Sequence, residues 1–451
     1  MSATSAVADG NSNLDRAFQA AVSDYDAGHF REAVRALESL VQQVPENFEV
    51  HELLGMAYAA ESEDLKASAH LAQAVRLKPD SAEARTNLAT NLVHLGKLRP
   101  AEIEFQKAVA LDPRSYETNH NLGEFLIAAG KITDGAAYLE KAQQTHPAAY
   151  DNGYDLALAY FETARLGEAR NLVRDLLAGK DTAELHNLLG EIEEKDRNFV
   201  PAEREYETAA HMDPSESNLF DWGSELLLHR TLDPAVDVFQ NARARYPNSA
   251  RLAIGLGMAL YSRGNYDDAV KVLLDAADLS PRDTRCYYFL SKAYNSSPGQ
   301  AAGVIERFRR FRELEPQDAR AHYYYAMSLW KGRRAGDAGL DPGLIESELK
   351  RSVELDPKSA DAHFELGNLY SDQHNYREAI SEYQLSLGED GNLADAHYRL
   401  GQAYVHTGQK QPAEEQLGIY QRLRAEHMAD LDKQRAEIRQ FVISEKDGRK
   451  Q

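Results

Sequence analysis

The chain has 451 residues, with 51 Lys plus Arg against 72 Asp plus Glu, a net charge of −21 and 43% apolar residues. That acidic excess argues against binding nucleic acid or an anionic membrane through the chain as a whole. The lone Cys286 excludes an intrachain disulfide framework and a multi-cysteine metal site, and no run approaches the 18 or so apolar residues that a membrane-spanning helix needs.

Residues 1–13 are polar and lack both the basic and the apolar region of a signal peptide. They are read as a disordered N-terminus and the chain as cytoplasmic; removal of a signal peptide ahead of Met1 would instead make it an exported protein. From Leu14 a period close to 34 residues sets in, which decides the architecture before any local reading does. Repeats begin at Leu14, Phe48, Ala82, Tyr116, Tyr150, Ala183, Glu216, Ala250, Thr284, Ala319, Ala360 and Ala394. Position 32 of the repeat is often a proline, as at Pro45, Pro79, Pro113, Pro281 and Pro357, and it stops one hairpin before the next begins.

Ten of the twelve starts follow an N-cap residue type: Asn13, Asn47, Ser81, Ser115, Thr182, Ser215, Ser249, Asp283, Asp318 or Ser359. Gly28, Gly96, Gly130, Gly264 and Gly408 all fall at position 15, where a left-handed residue commonly ends a helix. Each repeat therefore reads as helix, tight turn, helix, and the fold as all-α. Small residues at positions 8 and 20 let the two helices approach closely, while large ones at 7, 11 and 24 fill the space between them.

Within this frame the second repeat carries Leu54, Gly55, Tyr58, Ala67, Leu71, Ala74 and Pro79, and the eleventh repeats the pattern as Leu366, Gly367, Tyr370, Ala379 and Tyr383. Over residues 14–425 the chain resembles the tetratricopeptide repeat family. The resemblance implies an α-solenoid, a superhelix of antiparallel helical hairpins, closed by a C-terminal capping helix. Two places break the rhythm: the turn at Pro298 and the glycine-rich stretch Lys331 to Ile345, which is read as a long loop. Residues 426–451 continue the capping helix into a polar tail, with Leu417, Tyr420, Leu423, Met428, Leu431, Ile438 and Phe441 on one apolar face. The reading favours a monomer, with a dimer through this C-terminal helix as the alternative.

No catalytic, metal or cofactor motif survives its context, so no cofactor is expected and the chain is read as a non-enzyme. Gly255 and Gly257 lie in a helical segment with no strand before them. His51, His186, His322, His363 and His397 all hold position 4, one per hairpin, which marks them as packing or interface residues rather than metal ligands.

What the resemblance implies for function is a groove, lined by positions 2, 5, 9 and 12 of the first helices, that holds protein segments. Position 2 is mostly acidic, as the helix dipole favours, but is Arg251, Arg285 and Arg320 in repeats eight to ten. A cation there opposes the dipole and calls for a compensating partner, either a bound ligand or a neighbour such as Asp283 or Glu315. Position 5 reads Phe220, Ile254, Tyr288, Tyr323, Phe364 and Tyr398, with Lys292 at position 9 and Trp330 at position 12. Aromatic residues beside cations compose a recognition surface.

The candidate partner-binding residues are therefore Arg251, Arg285, Arg320, Tyr288, Tyr323, Lys292, Trp330, Phe220, Phe364 and Tyr398. The expected partner is a protein or peptide segment, acidic or bearing a free carboxylate, with no nucleic acid and no membrane insertion. The leading reading is a non-catalytic scaffold or adaptor. The alternative, from resemblance in Asn87 and Asn121, is the repeat arm of a protein O-linked N-acetylglucosamine transferase-like enzyme without its catalytic domain.

Overall fold

A computed structural model describes residues 3–296, 300–334 and 341–428. The turn at Pro298, the centre of the expected Lys331 to Ile345 loop, and the expected helix continuation and tail from residue 429 onward lie outside the described residues. The described residues form 24 helices and no strand. Among them no helix is long and apolar enough to cross a membrane. They group into two compact units, Met1–Asp196 and Arg197–Gln451, divided inside the sixth predicted repeat.

Unit 1 holds α1 (Ala3–Asp26), α2 (Phe30–Gln43), α3 (Phe48–Ala60), α4 (Asp64–Leu77), α5 (Ala82–His94), α6 (Leu98–Leu111), α7 (Tyr116–Ala128), α8 (Ile132–Thr145), α9 (Tyr150–Glu162), α10 (Leu166–Gly179) and α11 (Ala183–Lys195). Unit 2 holds α12 (Phe199–Met212), α13 (Glu216–Leu228), α14 (Leu232–Arg245), α15 (Ala250–Arg263), α16 (Tyr266–Leu279), α17 (Thr284–Ser296), α18 (Ala301–Leu314), α19 (Ala319–Arg334), α20 (Pro342–Leu355), α21 (Ala360–Asp372), α22 (Tyr376–Glu389), α23 (Ala394–His406) and α24 (410–428). In each unit the helices from α1 to α23 pack on their successors and most first helices of neighbouring hairpins touch, which is the stacking of an α-solenoid.

Every predicted first helix but one starts at the residue that the period assigns it. The exception is α1, which begins at Ala3, so residues 3–13, expected to be disordered, are helical. In the tenth repeat α19 runs on to Arg334 and α20 starts at Pro342, so helix takes up both ends of the expected loop. The caps act as their residue types imply: Asn47 accepts from Val50 N at 2.8 Å, Ser81 from Ala84 N at 3.1 Å and Ser249 from Leu252 N at 3.1 Å. Each supplies an acceptor to a first-turn N–H that has no partner within the helix.

Position 15 is left-handed well beyond the glycines. Gly28, Gly96, Gly130, Gly264 and Gly408 have φ between 69° and 92°, and Ser62, Ala164, Arg197, Arg230 and His374 adopt φ between 59° and 65° at the same place in their repeats. The turn geometry overrides the preference of these side chains, at about 1–2 kcal/mol for each residue with a Cβ.

Within a hairpin the two helices meet where a small residue faces a large one. A Cβ on Gly55 would come within 2.6 Å of the Leu71 side chain, and one on Gly367 within 2.7 Å of the Tyr383 ring. These are positions 8 and 24 of their repeats. Position 20 sits against the same seam and is filled by Ala33, Ala67, Ala101, Ala169, Ala202, Ala235, Ala269 and Ala379, all wholly buried. Apolar burial is therefore strung along each unit, hairpin by hairpin, instead of gathered into one centre.

Neighbouring hairpins are joined by a polar tie from position 4. The side chains of His51, Arg85, Asn119, Tyr287, His322, His363 and His397 each donate to the backbone carbonyl six residues earlier, in the turn before their helix, at 2.7–3.1 Å. Several also reach the second helix of their own repeat. Arg85 bonds Glu104 at 2.5 Å, His322 Glu348 at 2.5 Å, His363 Glu382 at 2.6 Å and His397 Gln416 at 2.6 Å. In His322 and His363 both ring nitrogens face acceptors. The recurring histidines are thus packing residues, as their spacing suggests.

Replacing Ala164 by Gly should raise stability by up to about 1 kcal/mol, because relief of left-handed strain exceeds the entropy that glycine adds to the unfolded chain. Gly130→Ala, at φ 77° with open space around the new Cβ, should lower it by about 1–2 kcal/mol. Thermal melts followed by circular dichroism distinguish the two. Equal melting temperatures would mean that the turn relaxes around the substitution.

Candidate protein-binding groove

The first helices of repeats nine to twelve, α17, α19, α21 and α23, place their positions 2, 5, 9 and 12 around a run of three cavities in unit 2. One, of about 430 Å³, is lined by Arg285, Tyr288, Lys292, Arg320, Tyr323 and Asp361 among others. The second, of about 720 Å³, is lined by Asn295, Trp330, Phe364, Asp395, Tyr398 and Arg399 together with Tyr420 of α24. The third, of about 870 Å³, shares Lys292 and Tyr323 with the first and Phe364, Asp395 and Tyr420 with the second. Shared walls make the three one continuous groove.

Eight of the ten residues singled out from sequence line this groove, and two do not. Arg251 turns away: its guanidinium lies 3.7 Å from the centroid of the Phe220 ring and bonds Asp221 at 3.3 Å, so each satisfies the other. Phe220 in turn packs edge-on against Phe239 in the apolar core. Ile254, expected in the position-5 stripe, is buried as well. Trp330 is 5% exposed and belongs to the core while also lining the 720 Å³ cavity.

The cations on the groove differ in how much of their bonding capacity is already used. Asp283 caps α17 by accepting the Arg285 N–H at 3.0 Å and takes the Arg285 guanidinium at 2.7–3.2 Å. Asp318 does the same for Arg320, at 2.9 Å from the backbone and 2.8–3.1 Å from the guanidinium. One carboxylate thus sits between the helix N-terminus and the cation that would otherwise oppose its dipole. The hydrogen bonds from Arg285 hold the Asp283 carboxyl below its usual range. Glu315, the other neighbour expected to compensate, pairs with Arg282 at 2.9 Å instead.

Lys292, Arg399 and Arg424 make no ion pair among the described residues, and Arg424 donates to the Tyr420 hydroxyl at 3.2 Å. The Lys292 ammonium is exposed and lies 5.5 Å from the Tyr288 ring centroid. Beside it, burial first and then Glu365 and Asp361 push the Tyr323 phenol well above its usual value, so its hydroxyl stays protonated and can donate. Tyr288 and Tyr398 stand 46% and 37% exposed, which leaves ring faces open for contact.

Reading by position missed the contribution of α24. Leu417 packs under Gly401 as a capping residue should, but Tyr420 lies 5.1 Å from Tyr398, and Leu423, Arg424 and His427 line the 870 Å³ cavity. The capping helix is therefore also a wall of the groove. The apolar face of α24 was visible in the sequence, whereas the curvature that brings its last turns beside Lys292 was not.

Family models described as tetratricopeptide repeat match residues 18–82 and 220–284, residues 126–192, and residues 348–381. No curated protein matches the chain significantly in sequence. Among solved structures, the chain is similar to the Naa15/Naa10 complex bound to HypK-THB, with 15% identity, 90% of this chain and 68% of that one covered, and a TM-score of 0.38. It is similar to yeast Tom70 at 13% identity, covering 89% and 97%, with a TM-score of 0.37. A third likeness is to YrrB, a TPR protein with an unusual peptide-binding site, at 20% identity over 41% of this chain and 96% of that one, with a TM-score of 0.35. The recurrence of these family models from residue 18 to residue 381, on hairpins whose caps, turns and packing pairs repeat in register, places the chain in the tetratricopeptide repeat family.

Proposed function

We propose that this chain is a non-catalytic scaffold and that the groove of unit 2 holds an extended segment of a partner protein, with a carboxylate of that segment on Lys292. The observation that carries this reading is the pairing of a continuous aromatic-lined groove with Lys292, an exposed cation shared by two of its cavities and without a carboxylate partner among the described residues. Open ring faces at Tyr288 and Tyr398 supply area and geometry, and the Tyr323 hydroxyl supplies a donor beside the ammonium. Arg285 and Arg320 widen the cationic rim. Their pairs with Asp283 and Asp318 are exposed on the arginine side, at 65% and 61%, and exposed pairs hold only about 0–1 kcal/mol. An incoming carboxylate can therefore compete for either guanidinium at small cost.

A library of labelled peptides about ten residues long, varied in charge and in whether the C-terminus is free or amidated, tests this on the full chain. Acidic or free-carboxylate peptides should bind best, and Lys292→Ala should weaken them about tenfold or more, as expected for a charge-assisted bond of about 1.5–3 kcal/mol. Arg251→Ala should leave affinity unchanged, since that arginine is committed to Phe220 and Asp221. Both variants should melt like the parent. Undiminished binding by Lys292→Ala, or a preference for basic peptides at this groove, would overturn the assignment.

A further inference from the structure

Several of the position-4 side chains that tie one hairpin to the next also meet a partner at position 23, or its equivalent in the tenth repeat, on the second helix of their own hairpin. That partner is a carboxylate for Arg85, His322 and His363, from Glu104, Glu348 and Glu382, and an amide for His397, from Gln416. In the second repeat it is another imidazole. His51 Nδ1 on α3 and His70 Nδ1 on α4 lie 3.0 Å apart.

Two imidazoles in this pose have room for one proton between them. His51 Nε2 faces Pro45 O at 3.0 Å, and a carbonyl only accepts, so Nε2 carries a proton and the neutral His51 ring offers its Nδ1 lone pair. His70 Nδ1 donates to that lone pair. An added proton can go to the far side of the His70 ring, where it charges a half-buried imidazole. A second, on His51 Nδ1, would set two N–H groups against each other at 3.0 Å and break the bond that orients His51 toward Pro45 O.

The surroundings offer little to such charges. His51 is buried, and the Tyr58 ring stacks on His70 with centroids 5.7 Å apart. Glu38 of α2 favours a proton on His70, but its carboxylate already accepts from the Tyr58 hydroxyl. On α4 itself, Lys66 lies 5.1 Å from the Tyr58 ring centroid and pairs with Glu63. Arg31 and Arg35 of α2 pair with Glu61 and Glu32, while Arg85 and His94 of α5 face Glu104 and Asp64. Glu49 and Glu52 of α3 and Glu83 of α5 hold positions 2 and 5, on the groove side of their helices.

Burial first and then His51 hold the His70 imidazole below its ordinary value of 6.5, with Glu38 opposing. Folding therefore disfavours the added proton. The stability at stake is complete above the ordinary value and is lost as pH falls through the lower value of the folded chain.

We propose that the His51–His70 pair makes the junction of the first and second hairpins a pH-sensitive joint, closed at neutral pH and loosened in mildly acidic solution. Pro45 lies in the turn between α2 and α3, so release of His51 loosens the first hairpin on the second while the apolar seam within each hairpin stays closed.

Amide hydrogen exchange of the full chain from about pH 7.5 to about pH 5, corrected for the intrinsic pH dependence of exchange, tests this. Protection of α2 and of the first turn of α3 should fall about threefold or more, within the limit of about tenfold per pH unit that one proton sets. The His397–Gln416 junction, where a single imidazole faces an amide, is the internal reference and should change less. His70→Gln copies that junction and should flatten the loss while keeping the protection seen at neutral pH. Should His70→Gln fold poorly, Gln416→His builds the same imidazole pair in the twelfth repeat and should bring the acid-dependent loss to the start of α23. Protection in the parent that is as steady at the first junction as at the reference, an equal loss in a folded His70→Gln chain, or no new loss in a folded Gln416→His chain would overturn the proposal.

Discussion

A turn that passes through proline leaves a backbone carbonyl with no helical N–H positioned to meet it, and a stacked helical array meets that problem at its hairpin junctions. At seven junctions the solution is a side chain at position 4 of the next helix, directed back at the carbonyl six residues earlier, while Leu219 and Ala253 hold that position without a donor. Arg85, with two bonds to Pro79 O and one to Glu104, shows the full form: one group holds the preceding turn and the following helix together. A hydrogen bond of this kind contributes about 0.5–1.5 kcal/mol net, and more from a charged donor such as Arg85, so the tie adds to the apolar contacts in fixing the spacing of neighbours. His, Arg, Asn and Tyr all serve because each brings an N–H or O–H to the same point. Gly153 occupies the position in the fifth repeat, and there the Gln143 amide reaches Pro147 O at 2.8 Å instead. The constraint is on the carbonyl, and the donor is interchangeable.

That interchangeability explains what could and could not be read from the residues alone. The period, the helix starts, the caps and the small-on-large seam were legible because each is a local rule repeated many times, and errors at one repeat are corrected by the next. The same repetition marked the histidines as packing residues, but not what they bond, because their acceptor is a backbone atom and carries no residue type. Positive φ at Ala164 and Arg230 was equally hidden: the glycines at position 15 marked the geometry, while the residues that adopt it under strain look ordinary. In the groove, residue types placed aromatic and basic side chains on one side. Whether a given arginine was already engaged depended on neighbours two residues back, as with Asp283, or a hairpin away, as Asp221 is from Arg251. No single-position reading carries that information.

The arginines at position 2 show how a local penalty is absorbed. A cation in the first turn opposes the helix dipole, yet Arg285 and Arg320 each follow an aspartate that serves as the N-cap. The carboxylate accepts the first-turn N–H, faces the positive end of the helix, and presents its remaining lone pairs to the guanidinium. Dipole, cap and ion pair are satisfied by one group. The guanidinium is held at the groove edge in a defined pose and remains largely in water, where exchange of one carboxylate for another is nearly neutral.

Separation of roles by position follows from this geometry. Positions 8, 20 and 24 are consumed by the seam within a hairpin, and position 4 by the tie between hairpins, so changes there act on stability. Positions 2 and 9 of the first helices, and position 5 outside repeats seven and eight where Phe220 and Ile254 join the core, are not used by either contact, so they can change polarity from repeat to repeat with little disturbance of the stack. In unit 1 they are rich in carboxylates, and in unit 2 they gather aromatic rings around a cation without a carboxylate. A globule with one central core could not carry two such faces so freely, because a charged patch on one side would compete with the packing beneath it. In stacked hairpins the packing beneath each recognition residue is local and the same, which leaves the chemistry of the faces to be set by sequence alone.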